Sequence, residues 1–132
     1  MILTLLAALA ATALEMIVVD EQSVTRREAP PHGKIGMSTV SRISDAVPNR
    51  TFEFRKRVLH PGAAIGLHPI AHDEIYYVLS GTGEVESDGK RSVLKPGMSA
   101  YLYTGAVVGI KQVGKEPLSL IISYPLPIPA EP

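Results

Sequence analysis

The chain contains no cysteine among its 132 residues, so disulfide bonds and thiolate metal sites are excluded. It also lacks a net charge, because 13 Lys and Arg residues balance 13 Asp and Glu residues. Nucleic-acid-binding proteins usually carry a basic excess, and we therefore expect no nucleic-acid partner. Residues 1–14 are apolar and uncharged, but the run is too short to span a bilayer. We therefore expect no stable membrane span.

Apolar residues make up 45% of the sequence, which is sufficient for a folded core, and the length is that of one domain. Eleven glycines and eleven prolines divide the chain into short runs, few of which have helical spacing. These short runs predict an all-β fold with many turns.

The N-terminal segment, residues 1–15, has the apolar core of a signal peptide and an A-x-A cleavage site at Ala11-Thr12-Ala13. It lacks the basic residue expected near the start. Two alternatives stay open: Met16 is the true start, or the segment is a docked helix. A signal peptide predicts a periplasmic or secreted protein, and either alternative predicts a cytoplasmic one.

The stretch from Gly62 to Gly81 holds three groups able to bind a metal, His68, His72 and Glu74, within seven residues. Apolar runs on both sides predict two buried strands joined by a short polar turn. Imidazole and carboxylate groups together suit a divalent metal such as Fe, Zn, Mn or Ni. The sequence therefore predicts a candidate metal site at this turn.

The spacing Gly62, five residues, His68, followed by Glu74, six residues, Gly81 resembles the first motif of the cupin superfamily. The resemblance, to small single-domain cupins, covers residues 50–124. It implies an antiparallel double-stranded β-helix, or jelly-roll barrel. It also implies a metal held by three histidines and one glutamate, and an N-terminal arm that packs on the barrel or pairs with a second subunit in a homodimer. Cupins host many chemistries, so the resemblance does not imply one reaction.

Two of the four implied ligands are replaced in this chain. The second histidine of the H-x-H motif falls on Ile70, and the third, expected about three residues after Gly105, falls on Val108. His72 can compensate only if the turn bends it inward, which would give a facial set of His68, His72 and Glu74.

Two functions stay open on this basis. The first is a metal-dependent enzyme of the dioxygenase, isomerase or lyase type acting on a small polar metabolite. Alternation places Tyr76 on the face of Glu74, which makes Tyr76 the candidate catalytic proton donor. The alternative is a metal-free barrel that binds a small molecule, or a structural barrel, in which His68 and Glu74 hydrogen-bond each other in a vestigial pocket.

The remaining segments are assigned from their composition. Residues 16–50 form an N-terminal arm with short strands expected at 17–20 and 35–43, and residues 51–124 form the barrel. Four prolines in residues 125–132 predict a tail that cannot join a sheet.

Three charged or polar residues outside the motif have two interpretations each. The strand 51–59 alternates, and Arg55 and Arg57 on it are expected to face solvent; alternatively, one of them points inward and meets an acidic substrate or Glu74. His32 lies beside two prolines and is expected to be a solvated loop residue; alternatively, it is a ligand.

Overall fold

A computed structural model describes residues 14–128. The candidate signal peptide lies outside this part, except for Leu14 and Glu15, and so does the end of the tail from residue 129. Two short 3-10 helices occur, at Glu21–Val24 and Ile43–Ala46. The strands are β1 (Thr25–Glu28), β2 (Ser38–Ser41), β3 (Phe52–Leu59), β4 (Ala64–Pro69), β5 (Glu74–Ser80), β6 (Thr82–Ser87), β7 (Lys90–Leu94), β8 (Ser99–Leu102), β9 (Val107–Val113) and β10 (Leu118–Pro125).

The strands form two antiparallel sheets that pack face to face as a jelly roll. One sheet has six strands in the order β1-β2-β3-β10-β5-β8, and the other has four in the order β4-β9-β6-β7. The all-β, cupin-type fold predicted from the sequence is thus confirmed. Between residues 14 and 128 we find no helix with the length and apolarity that a bilayer crossing requires.

Alternation along each strand places one face in the core. On β5, Glu74, Tyr76 and Val78 are buried, whereas Ile75 and Tyr77 are exposed. The core lies between the sheets, where burial of apolar side chains supplies the main stabilisation. It is formed by Leu59, Ala63, Ile65, Ile70, Tyr76, Val78, Val85, Leu94, Leu102, Ala106, Val108, Ile110, Leu118, Leu120 and Ile122.

The hairpin turn predicted at Asp88-Gly89 is present in the structure. Asp88 and Gly89 connect β6 to β7 with positive φ angles of 48° and 80°, which suit the two central positions of a tight hairpin turn. The turn between β4 and β5, residues 70–73, leads from the four-stranded sheet to the six-stranded one. It therefore brings the predicted metal-binding cluster to a place where the two sheets meet.

Three predictions about strands are wrong in detail. Residues 17–20 form no strand, and the strand expected at 35–43 is limited to β2. Pro125 ends β10 opposite Phe52, so the tail does begin inside a sheet. Proline is tolerated there because it is the last residue of its strand.

Candidate functional site

A cavity of about 130 Å³, here called the inner cavity, lies between the sheets beside the loop that joins β1 to β2. It receives side chains from both sheets and from that loop. Its lining is formed by Pro31, His32, Arg55, Arg57, Ile65, His68, Glu74, Tyr76, Ile122 and Tyr124.

The charged face of β3 points inward, not toward solvent. Arg57 is only 1% exposed, whereas Phe52 and Phe54 on the opposite face are 55% and 38% exposed. The expectation that Arg55 and Arg57 are solvated is therefore wrong, and the alternative of an inward arginine holds for both. Burial is possible because each charge has an opposite partner, which offsets its loss of hydration.

Two glutamates share four arginines in this network. Glu28 accepts from Arg42 and, at 3.3 Å, from Arg57. Glu53 accepts from Arg50 and Arg55, each at 2.9 Å. The exposed Asp45 lies 3.8 Å from Arg50 and adds a weaker contact, with its side chain 40% exposed. The network therefore contains four arginines and three carboxylates, and Glu74 on the wall of the inner cavity adds a fourth carboxylate.

The pKa values of the two glutamates follow from these contacts. Burial alone would raise the pKa of Glu53, but hydrogen bonds and charge from Arg55 and Arg50 outweigh it and lower that pKa. The pKa of Glu28 is likewise lowered, since Arg42 and Arg57 overcome the effect of burial. Both carboxylates therefore stay ionised and hold the arginines in place.

The arginines are only partly satisfied by these partners. Nη2 of Arg55 donates to Glu53 and, at 3.2 Å, to the hydroxyl of Tyr124. Nη1 of Arg57 donates to Ser38 at 2.8 Å. The Nε atoms of both arginines are buried, and neither has an acceptor in the part of the chain that the structure describes. Buried donors without acceptors are costly, and because these two Nε atoms are closed off from solvent, a molecule in the cavity would have to accept from other atoms of the guanidinium groups.

His68 lies on β4 and presents one ring nitrogen to the cavity. Its Nδ1–H donates to the carbonyl oxygen of Gly66 at 2.8 Å, which leaves Nε2 without a backbone partner. The hydrogen bond between His68 and Glu74 expected for a vestigial pocket is absent among the hydrogen bonds of residues 14–128, so that expectation is wrong. Glu74 instead pairs with His72, across 3.1 Å between Oε1 and Nε2.

The turn does bend His72 back toward Glu74. Its ring stacks on Tyr124 with 4.1 Å between centroids and 9° between planes. His72 and Tyr124 also line a larger, more open groove of about 690 Å³, here called the outer groove, together with Phe52, Ala71, Asp73, Ile75, Tyr101, Thr104, Ser123, Pro125, Leu126 and Pro127. The stacked pair therefore separates the outer groove from Glu74 in the inner cavity.

Tyr76 lies next to Glu74 on the inner face of β5 and is 1% exposed. Burial raises its pKa well above the usual value, and the negative charge of Glu74 raises it further. The hydroxyl therefore keeps its proton and can donate a hydrogen bond, but it is a poor base. Its catalytic role stays a prediction.

The complete cupin ligand set does not fit these residues. Val108 lies directly opposite His68 in the register of β4 and β9 and is fully buried, and Ile70 is 4% exposed. From Leu14 to Ile128, no three His, Asp or Glu side chains form a group able to hold a metal ion. His72 contacts Glu74, whereas His68 lines the same cavity as Glu74 without a hydrogen bond to it. Their joint role in metal binding stays a prediction.

His32 is an exposed loop residue, as the sequence interpretation expected, but its contact with His68 and its place in the cavity wall were not predicted. Its ring stacks on His68 with 3.5 Å between centroids and an angle of 5°. Burial lowers the pKa of His32 and the charge of His68 lowers it further, whereas Glu74 partly opposes both. No local pattern marks this histidine, because the loop reaches the cavity only through the pairing of β1 and β2.

A signal for the buried arginines was present but weak. Glu53, Arg55 and Arg57 recur at every second position, so their opposite charges fall on one face of β3. Phe52 and Phe54 on the other face favoured the wrong assignment of inside and outside.

Comparison with known proteins agrees with this architecture. Residues 56–124 match the family model described as a cupin domain. The chain is 31% identical over 109 residues to an oxalate-binding protein of Thermotoga maritima, across 80% of this chain and 90% of that protein.

Solved structures show the same fold. A Thermotoga maritima protein described as a predicted oxalate decarboxylase superimposes with a TM-score of 0.73 at 27% identity, over 83% of this chain and 99% of that one. An RmlC-like cupin from Shewanella frigidimarina gives 0.65 at 22% identity, over 85% and 91%, which supports the fold alone. With its barrel matched by the family model and most of its length by a relative, the chain belongs to the cupin family.

Proposed function

We propose that this cupin binds a small metabolite bearing one or two carboxylates in the inner cavity, without a four-ligand metal centre. The observation that carries the proposal is the arginine-rich face of β3. Arg55 and Arg57 both line the cavity, and the glutamates that pair with them also pair with Arg42 and Arg50. A carboxylate is the group that arginine side chains recognise best, through paired charge-assisted hydrogen bonds.

Neutral donors complete such a site. The hydroxyl of Tyr76 keeps its proton, and the hydroxyl of Tyr124 lies 3.2 Å from Arg55. His68 is not one of these donors, because its Nδ1–H is already bound to the Gly66 carbonyl and the Nε2 of the neutral ring is an acceptor. Carboxylates are recognised by convergent donors of this kind, and hydrogen bonds to charged groups are roughly twice as strong as neutral ones.

The size of the cavity limits the ligand. At about 30 Å³ per water molecule, its volume of about 130 Å³ equals about four waters. A dicarboxylate of two or three carbons fits this space, whereas a sugar ring does not. The Thermotoga maritima relative, an oxalate-binding protein, supports a ligand of this class.

Glu74 is the one acidic side chain among the lining residues, and it distinguishes this function from a metal-dependent one. In the proposed site, the negative charge of Glu74 repels a carboxylate ligand. The hydrogen bond between Glu74 and His72 weakens this repulsion. In a metal site the same carboxylate would be a ligand and would favour binding.

A metal-dependent enzyme of the dioxygenase, isomerase or lyase type is the second candidate. The free Nε2 of His68 and the contact of His72 with Glu74 favour it, since both orient groups of the predicted set. It would use His68, His72 and Glu74 for Fe, Zn, Mn or Ni, with Tyr76 as proton donor. Elemental analysis of protein purified without added metal or chelator tests this candidate. Export through a signal peptide and a homodimer likewise stay proposals.

Titration calorimetry with oxalate, in EDTA, tests the proposed function. We expect Arg55→Gln to weaken oxalate binding by about 10- to 100-fold, because a charge-assisted hydrogen bond contributes about 1.5–3 kcal/mol. Arg27→Gln is the matched control, since it removes the same charge from an exposed position on β1. Equal affinities in both variants would contradict the proposal, as would a wild-type protein that binds no carboxylate.

A further inference from the structure

The loop that joins β1 to β2, residues 29–37, reaches the inner cavity from outside the matched cupin segment. Pro31 and His32 of this loop line the cavity, and Pro30 is buried beneath them. We propose that residues 29–37 form a fixed lid, here called the His32 lid, and that His32 determines the length of carboxylate the cavity accepts. This inference rests on the proposed function and assigns its specificity.

The His32 lid lies directly against β4 because Gly66 on that strand has no side chain. A Cβ atom on Gly66 would lie only 1.8 Å from the carbonyl oxygen of His32, so no other residue fits there without moving the lid. At a second point, a Cβ atom on Gly36 would lie 2.8 Å from the Cα atom of Ala63. Two close approaches of backbone to backbone therefore define where the lid lies.

The backbone of the lid is held in an uncommon conformation. His32 and Lys34 have φ angles of 62° and 51°, a region that residues other than glycine seldom adopt. Such conformations persist only where surrounding contacts determine them, and they are frequent at binding sites. The amide of Ala64 donates to the carbonyl of Ile35 at 3.1 Å and supplies one such contact. The position of His32 is thus imposed by the fold and not by its own preference.

That position gives the imidazole two effects on a ligand. One face of the ring packs on His68, so the ring occupies space that a longer molecule would need. The residue lines the cavity, and an N–H group of its ring is a donor that a carboxylate in the cavity can use. A two-carbon dicarboxylate gains the hydrogen bond and fits below the ring, whereas a four-carbon one meets the ring. His32 therefore favours short over long dicarboxylates.

Calorimetry of His32→Ala with oxalate and with succinate tests the inference. We expect oxalate binding to weaken and succinate binding to strengthen, so that the ratio of the two affinities falls at least tenfold from the wild-type value. His60→Ala is the control, because it removes an imidazole that bonds Thr39 at 2.9 Å and does not line the cavity. We expect His60→Ala to keep the wild-type ratio.

Gly66→Ala tests the seat of the lid without changing any cavity side chain that donates to the ligand. We expect it to reduce the oxalate-to-succinate ratio in the same direction as His32→Ala, because the added methyl group displaces the His32 carbonyl. If the wild type prefers oxalate and His32→Ala keeps that preference, the assignment of specificity to His32 is wrong while the proposed function stands. If the wild type binds neither dicarboxylate, both fail.

Discussion

Ile70 and Val108 show how single residues remove metal ligands from a cupin barrel. Both are buried in the core, and Val108 lies opposite His68 on the neighbouring strand. Residues directly opposite in an antiparallel pair project to the same face, so a histidine at position 108 would share the face of His68. In the described part of the chain, two buried aliphatic side chains therefore stand where the resemblance implies histidine ligands.

The double substitution Ile70→His with Val108→His should restore a four-ligand site with His68 and Glu74. Without metal, the variant should unfold at a lower temperature than the wild type, because burying two imidazoles in place of aliphatic groups costs a few kcal/mol, roughly 2–5. Zn, Ni or Mn should recover the loss by binding the folded state. Thermal unfolding with EDTA and with each metal measures both effects.

The single variants Ile70→His and Val108→His are the controls, and metal should stabilise each of them less than the double variant. A double variant that melts lower and is rescued by no divalent metal would show that the two positions do not face a common centre.

At the scale of the element, β3 is the strand whose buried face was hardest to predict. Its inward residues are charged, and its outward residues include two phenylalanines. The alternation of residues on β3 reveals two faces but not which of them is buried. That choice depends on Glu28 and Arg42, which lie outside β3 and join its charged residues in the ion-pair network. By contrast, β5 and β10 carry continuous apolar runs, and their place in the barrel was predictable from sequence.

The position of the loop between β1 and β2 likewise depends on contacts with distant parts of the chain. His32 meets His68 only because β1 and β2 pair in a register that brings Glu28 opposite Ser38. The cupin spacing predicted the strands that hold His68 and Glu74 and the shared face of Glu74 and Tyr76. It did not predict His32, since long-range pairing outside the motif leaves no local signal.

The charge network on β3 makes part of the stability depend on pH. The folded-state pKa of Glu53 is lowered, so its contribution is fully present above the unfolded value near 4.5 and is lost as pH falls through the folded value. Glu53→Gln should reduce the free energy of unfolding by about 3–5 kcal/mol at pH 7, because it leaves buried arginines without their charge partner. Urea unfolding at pH 7 and at acidic pH measures this difference.

The difference between wild type and Glu53→Gln should narrow as pH falls below 4.5. Glu86→Gln is the control, since Glu86 pairs with the exposed Arg91 and such pairs contribute about 0–1 kcal/mol. A difference that is unchanged at acidic pH would show that Glu53 stabilises the protein by packing and not by its charge.

At the scale of the whole molecule, a chain with no net charge holds one buried and several partly buried arginines. Four of them surround two glutamates at one side of the barrel, and Arg55 and Arg57 reach the inner cavity. Such an arrangement costs desolvation, and it is retained where a function needs it. Between residues 14 and 128, this cupin barrel thus has two arginines in the wall of its inner cavity and no group of three His, Asp or Glu side chains that could hold a metal ion.

Oxalate titration of Glu74→Gln in EDTA tests this central claim most directly. Gln keeps the shape of Glu74 and its acceptor for His72 but removes the one negative charge on the cavity wall. Oxalate should then bind at least about fivefold more tightly than to wild type, a gain of ~1 kcal/mol. Glu84→Gln, which removes a charge that pairs with Lys111 outside the cavity, should leave the affinity unchanged. Oxalate binding that is weakened or lost in Glu74→Gln would contradict the account and show that the carboxylate itself supports the ligand.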